Sequence, residues 1–252
     1  MQQFQKLNNI LGWIAFIIAT TVYFLTLEPT ASWWDCGEYI ATAYKLQVGH
    51  PPGAPLFQML GRFFSLFAFG DTSRVALMIN SMSAIASGFT ILFLFWSITS
   101  LARKIVAPSD DFTTGKALAV VGSGLVGALA YTFSDSFWFS AVEGEVYALS
   151  SFFTAVTFWA ILKWERVANE PHADRWLLFI VYLIGLSIGV HLLNLLAIPA
   201  VVLVYYFKKY TPSVKGIIIT AIISLVFIGF IMYALIPEVV SLFAHTEIMF
   251  VN

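Results

Sequence analysis

Apolar residues in this chain come in long runs rather than in alternation. The stretches 10–27, 75–101, 117–133, 145–163, 176–190, 193–207 and 214–236 carry almost no charge inside them. An apolar run of about 20 residues, wound as a helix, matches the roughly 30 Å hydrocarbon core of a bilayer. In lipid the backbone must satisfy its own hydrogen bonds, which makes helix the default for spans of this kind. The pattern predicts an all-α polytopic membrane protein with about seven transmembrane helices.

Two segments need a decision. Gly53 to Phe69 is apolar, but Gln58, Arg62 and Ser65 form a polar stripe opposite Leu56, Leu60, Phe63, Phe64 and Phe67. That periodicity predicts an amphipathic, membrane-parallel helix rather than a span. Trp176 to Phe207 is 32 apolar residues without a polar break. As one helix it would be about 48 Å long, well beyond the bilayer core. Two short spans joined by a tight turn near His191 and Asn194 are expected instead. Gly122, Gly124 and Gly127 in the third span predict close helix packing.

Composition agrees with this picture. The chain is 60% hydrophobic and 11% charged, where a soluble domain carries about 25% charged residues. A net charge of -1 gives no electrostatic ground for a polyanion, so no nucleic-acid partner is expected. Cys36 is the single cysteine, which excludes an intrachain disulfide and a cysteine metal site. The first run lacks a clear cleavage site, Thr30-Ala31-Ser32 being a poor one, and reads as a retained span.

Charge then sets the orientation. Arg103, Lys104 and Lys116, then Lys163, Arg166 and Arg175, then Lys208, Lys209 and Lys215 all fall on one side if the N-terminus is cytoplasmic. The loop 102–116, with Pro108, Asp110 and Asp111, reads as a plain cytoplasmic connection. Asp35, Glu38, His50, Asp71, Asp135, Glu143, Glu145, His191, Glu238 and His245 fall on the other side. Residues 28–74 form the first outer loop. The whole of 1–252 reads as a single transmembrane domain, the N-terminal part of a longer protein.

The candidate chemistry lies on that outer side. Asp35 and Glu38 are three apart and share a helix face, so a carboxylate here is placed to act as general base. Ser32-Trp33-Trp34-Asp35 equally fits a helix-capping pattern. Trp33, Trp34, Tyr39 and Tyr44 suit an interfacial aromatic belt. His50-Pro51-Pro52-Gly53-Ala54-Pro55 is a rigid turn that either redirects the chain or aims His50 at a ligand. Arg62 suits a phosphate or a lipid headgroup. Glu143 and Glu145 open the fourth span, where acids complement a helix N-terminus or hold sugar hydroxyls. His191 and Asn194 sit in the expected tight turn. No metal site is read from spacing, and no phosphate-binding loop, dinucleotide or serine-hydrolase motif is present.

WWDCGEY, HPPGAP, VEGEVYALSS and GVHLLNLL, in this order, carry a resemblance that covers nearly the whole chain. The sequence resembles the N-terminal membrane region of a large bacterial membrane family of formerly unknown function. That family is similar to the vertebrate transmembrane O-mannosyltransferase acting on receptor ectodomains. Both belong with the C-type glycosyltransferases, beside the protein O-mannosyltransferases. The resemblance implies a C-type fold with membrane-parallel helices in the first outer loop. It also implies transfer of a sugar, mannose by analogy, from a polyprenyl-phosphate carrier to a hydroxyl acceptor. The acceptor would be serine or threonine of exported proteins. The first-loop acid of such enzymes matches Asp35, followed by Glu38, and the second acidic position matches Glu143 or Glu145. Segment 53–69 matches a membrane-parallel helix. Family members continue with more spans and a soluble periplasmic part, so the implied activity belongs to the longer protein.

The expected reaction is an inverting transfer at the periplasmic face of a bacterial inner membrane. Asp35 is the base; Glu38, His50, Arg62, Glu143, Glu145, His191 and Asn194 bind the substrates. Arg62, His50 or helix N-termini meet the phosphate charge. The expected partners are the lipid-linked sugar donor, a protein acceptor and membrane lipids. No cofactor beyond the donor is assigned, and a divalent metal is left open. The alternative is a polytopic transporter or lipid-carrier flippase, which predicts inverted repeats and mid-membrane charge. Spans one to three do not mirror spans five to seven.

Overall fold

The computed structural model describes residues 2–106 and 112–251. Pro108, Asp110 and Asp111 of the expected cytoplasmic connection lie outside the described residues. Among the described residues all regular secondary structure is helical. Six helical runs are long and apolar enough to cross a membrane. The chain separates into two compact units, 1–194 and 195–252.

The first unit contains α1 (Gln2–Leu25), α2 (Cys36–Lys45), α3 (Pro55–Ser65), α4 (Val75–Val106), α5 (Thr114–Thr132), α6 (Asp135–Val142), α7 (Val146–Val167) and α8 (Asp174–Ile188). Its axis is α4, which packs against α1, α5 and α7. At 32 residues α4 is about 48 Å long. Ala15, Ala19 and Tyr23 of α1 meet Ala84, Ile91 and Phe95 of α4 and Ala128 of α5, all fully buried. Small residues at the contacts let the backbones approach. A Cβ at Gly124 would lie 2.9 Å from the Phe95 ring and one at Gly127 2.6 Å from Ile98. Gly122 faces open space, so only two of the three expected glycines serve packing.

α3 is the expected amphipathic helix, but its polar stripe faces protein. Gln58 and Ser65 are buried, while Met59, Phe63, Leu66 and Phe67 are exposed. That is the arrangement lipid favours, with polar groups turned inward and apolar groups outward. Arg62 Nη1 donates to the Tyr44 carbonyl at 2.8 Å and lies over the Tyr44 ring. The guanidinium thereby closes the C-terminal end of α2.

α6 is a short helix between the third and fourth predicted spans. The fifth run forms α8, whose 15 residues span about 22 Å. Its C-terminal end meets the start of α3, where Leu56 N donates to the Gly189 carbonyl at 2.8 Å. The expected break after this run is present, as a turn through Gly189–His191 and a 3-10 segment at Leu192–Leu196.

The second unit holds α9 (Ala197–Lys209), α10 (Val214–Phe230) and α11 (Ile236–Val251), with a π-helical turn at Ile231–Leu235. α9 packs on α10, and Ser213 caps α10 by accepting from Gly216 N at 3.0 Å. The helical run continues past the predicted end at 236 to Val251. Glu238 and His245, expected in an outer segment, therefore lie on exposed helix, with His245 Nδ1 2.7 Å from the Ser241 carbonyl.

Candidate active site

The site end of the first unit is built by loops tied to one another through the main chain. Asn80, fully buried on α4, donates to the carbonyls of Glu28 at 2.6 Å and Thr30 at 3.0 Å. Glu28 N donates to the Val142 carbonyl at 3.1 Å, and Trp138 Nε1 donates to Thr26 Oγ1 at 3.0 Å. These bonds sew the segment after α1 to the segment before α7. Gly144 completes the contact: a Cβ there would lie 2.7 Å from Asn80 Oδ1 and 3.1 Å from Ile40. Buried Cys36 packs beside the Ser32 and Gly144 backbone, at the seam.

Asp35 stands at the N-cap position of α2, yet its side chain makes no capping hydrogen bond. The capping alternative fails because Asp35 itself has helical backbone angles, φ -80° and ψ -2°, where caps are usually extended. Its carboxylate is half-exposed and faces the His50 ring, with Oδ2 3.8 Å from Nε2. Glu38, one turn along α2, takes the other side of the same residue. Its Oε1 accepts from His50 N at 2.7 Å, and its Oε2 lies 3.2 Å from His50 Nδ1. The backbone donor comes first in holding the Glu38 carboxyl below its usual range. A carboxylate on Nδ1 fixes ring orientation and tautomer and leaves Nε2 for the reacting side.

The proline turn supplies the reach. Gly53 N donates to the His50 carbonyl at 2.9 Å, closing the turn that contains the cis Pro51–Pro52 bond. Gly49 lets the strand of chain before it pass close to Glu38: a Cβ there would sit 3.2 Å from Glu38 Oε1 and 3.2 Å from Gln58. Tyr39 backs the His50 ring at 5.7 Å and the Phe57 ring at 5.2 Å.

Glu143 and Glu145 are both buried, at 3% and 6% exposure. Burial raises both carboxyls. Glu145 is pushed up to about 7, first by burial and then by the like charges of Glu143 and Asp35, against the pull of His50. The Ser32 side chain lies beside the Glu143 carboxyl and partly offsets that rise. Asp35, Glu38, His50 and Glu145 thus share one electrostatic neighbourhood. Asp35, Glu38 and His50 also offer one ligand atom each within 4.8 Å of one another, a set able to hold a divalent cation.

The remaining predicted residues divide. His191 approaches the site through Tyr147, ring to ring at 5.5 Å, and burial lowers its basicity. Asn194 is buried and occupied on both atoms: Nδ2 donates to Ser187 Oγ at 2.7 Å and Oδ1 accepts from Thr154 at 3.0 Å. It holds α8 to α7. Arg62 is at the opposite end of α2 from Asp35, and that ten-residue helix is about 15 Å long. Asn80 and Tyr39 were not singled out for the site. The legible signal for Asn80 is an amide inside an apolar span, which demands partners.

Beside the site runs a cleft of about 610 Å³ along α4 between α5 and α7. Tyr131, Ser150 and Leu193 line its site end, and Leu101 and Phe158 line its far end.

No solved structure matches this chain. A protein O-mannosyl-transferase tmem260 of Dictyostelium discoideum is 29% identical over 154 residues, which is 61% of this chain and 17% of that protein. Protein O-mannosyl-transferase TMEM260 of Mus musculus is 26% identical over 175 residues, covering 69% of this chain and 22% of the mouse protein. The chain thus spans about a fifth of the length of these curated relatives. The family profile described as the protein O-mannosyl-transferase TMEM260 N-terminal domain matches residues 35–214, opening on Asp35 and running past Asn194. A match over well over half of the chain, containing every residue of the acid–histidine cluster, places this protein in the TMEM260 N-terminal domain family.

Proposed function

We propose that the full-length protein is a membrane glycosyltransferase that moves a sugar from a polyprenyl-phosphate carrier to a hydroxyl acceptor. The names of its relatives support mannose as the sugar and a protein as the acceptor; in this proposal the accepting hydroxyl is a serine or threonine of an exported protein. The reaction faces the periplasm of a bacterial inner membrane, with the N-terminus in the cytoplasm. The observation that carries the reading is the Asp35 carboxylate, which is accessible, makes no capping bond and faces His50.

Asp35 takes the proton of the acceptor hydroxyl. The oxygen bonds to the anomeric carbon from the face opposite the phosphate, and the bond to the lipid phosphate breaks. The electron pair leaves with the phosphate, and the configuration inverts. His50, held by Glu38, accepts the proton from Asp35 and offers positive charge to the departing phosphate. Glu145, titrating near neutrality, exchanges hydrogen bonds with sugar hydroxyls in either protonation state. The apolar cleft along α4 suits the isoprenoid tail. Arg62 serves the fold of α2 and α3 in this reading, and phosphate charge falls to His50 or to a cation held by Asp35, Glu38 and His50.

The test is transfer from radiolabelled polyprenyl-phosphate mannose to a peptide acceptor by the full-length protein. Transfer by wild type and its loss in Asp35→Asn are expected. Wild-type turnover in Asp35→Asn would remove Asp35 as base. Loss of transfer in EDTA, restored by Mn²⁺, would give the three ligands a cation instead of a direct proton relay.

A further inference from the structure

The opposite end of the first unit carries a second cavity, of about 460 Å³. It lies where α1 begins and where α4 and α7 end. Arg103 of α4 and Lys163 and Arg166 of α7 line it, and none of the other described lining residues is a carboxylate. Among the described residues neither Lys163 nor Arg166 has a salt-bridge partner; the one ion pair at this end joins Lys104 to Glu165. Arg166 Nη2 donates to Ser100 Oγ at 2.6 Å, and Lys163 Nζ lies over the Trp159 ring at 5.3 Å. Both cations are therefore held in place by neutral groups. Arg103 lies over the Phe4 and Phe112 rings. Asn8 of α1 adds a polar group to the lining.

Lys163 and Arg166, brought to one cavity and held there by neutral groups, repel one another and lose hydration, and an anion between them offsets both costs. The volume falls in the usual range for a small-molecule site, roughly 300–1,000 Å³. Its depth is that of a headgroup layer, since the lining comes from the first turns of α1 and the last turns of α4 and α7. Basic pockets between transmembrane helices at this level suit phosphate headgroups. A positive-inside explanation accounts for the number of basic residues but not for the convergence of Lys163 and Arg166 on one cavity whose described lining holds no acid.

We propose that this cavity is a binding site for a phosphate-bearing anion, separate from the acid–histidine site at the other end of the same helices. A guanidinium grips phosphate oxygens through paired N–H donors and the lysine adds a point charge. The phosphate comes either from an anionic lipid of the adjacent leaflet or from solution.

The test uses full-length protein in neutral detergent, with binding followed by native mass spectrometry and by the melting midpoint. The probes are short-chain phosphatidylglycerol, short-chain phosphatidylcholine and inorganic phosphate. Binding of phosphatidylglycerol at least tenfold tighter than phosphatidylcholine, weakened tenfold or more by Lys163→Gln with Arg166→Gln, supports the site and names lipid as the source. Binding of inorganic phosphate with the same variant dependence supports it with a soluble source. Lys163→Arg keeps the charge and is expected to retain binding. If the double variant fails to fold, Lys163→Gln alone, with an unchanged midpoint before addition of probe, gives the same reading. Equal binding of the two lipids with no response to phosphate overturns the proposal, as does phosphatidylglycerol binding that ignores both substitutions.

Discussion

The two ends of the first unit are built by the same long helices and could hardly differ more in how they hold charge. At one end Asp35, Glu38, Glu143 and Glu145 sit at or beside helix starts, in segments fixed by main-chain bonds to Asn80, Val142 and Gly144. At the other end Arg103, Lys163 and Arg166 sit in last helical turns, held by Ser100 and aromatic faces. Acids near helix N-termini and cations near C-termini both suit the helix dipole. What distinguishes the acid end is excess: two carboxylates are buried and two more flank a histidine, an arrangement no dipole requires. The comparison teaches that charge sign follows helix direction cheaply, while burial and convergence mark sites.

The comparison breaks most decisively at Asp35. Asp35→Asn is expected to lower kcat of transfer by about 10² to 10⁴, the range general-base removal usually gives. Folding should be undisturbed, since the side chain caps nothing. A fall in the melting midpoint of several degrees would return Asp35 to a structural role.

Next comes pH. Glu145 holds its proton up to about 7 in the fold against 4.5 when free. Between those values the folded state binds the extra proton, so stability falls as pH rises through that window and levels off above it. Glu38 has the opposite sign: its carboxyl is held low, so its contribution is present above its usual range and lost as pH falls below it. Melting midpoints of the full-length protein from pH 5 to 8 should decline with rising pH, and Glu145→Gln should flatten the slope. A slope unchanged in Glu145→Gln would assign it to another group.

Asn80→Ala is expected to cost about 1–3 kcal/mol, because the two hydrogen bonds of a fully buried amide to the Glu28 and Thr30 carbonyls are lost. It should also lower transfer by loosening the loop that carries Asp35, with peptide KM changed less than kcat. Unaltered melting would show that the loop stands without it. The smallest effect is expected at Arg62. Arg62→Lys gives up one arm of a contact to the Tyr44 carbonyl, about 1 kcal/mol, and leaves transfer within a few-fold of wild type. A hundredfold loss would extend the phosphate site to the far end of α2.

How much of the site was legible varies by residue. HPPGAP announced a rigid turn, and the turn does carry His50 outward. Which groups His50 meets was not legible, because Glu38 is twelve residues away and the turn geometry alone brings the two into contact. Asn194 carried the opposite signal: an amide in a tight turn reads as a ligand donor, yet both its atoms are spent inside the protein. Arg62 lay in the right loop for a phosphate, but a single ten-residue helix separates it from Asp35.

The sequence alone determined the all-helical membrane class, the boundaries of the first four spans to within a few turns, the amphipathic α3 and the break near His191. Those properties follow from periodicity and from the demand that backbone in lipid bond to itself, both local in the chain. Tertiary structure alone decided that the Asp35 side chain is uncapped, that Glu38 and Asp35 flank one imidazole, that Glu145 titrates near neutrality and that three cations from two helices meet at one cavity. Each of these depends on groups far apart in sequence whose spacing is set by how α4 packs against α1 and α7, and side-chain packing of that kind leaves no period to read.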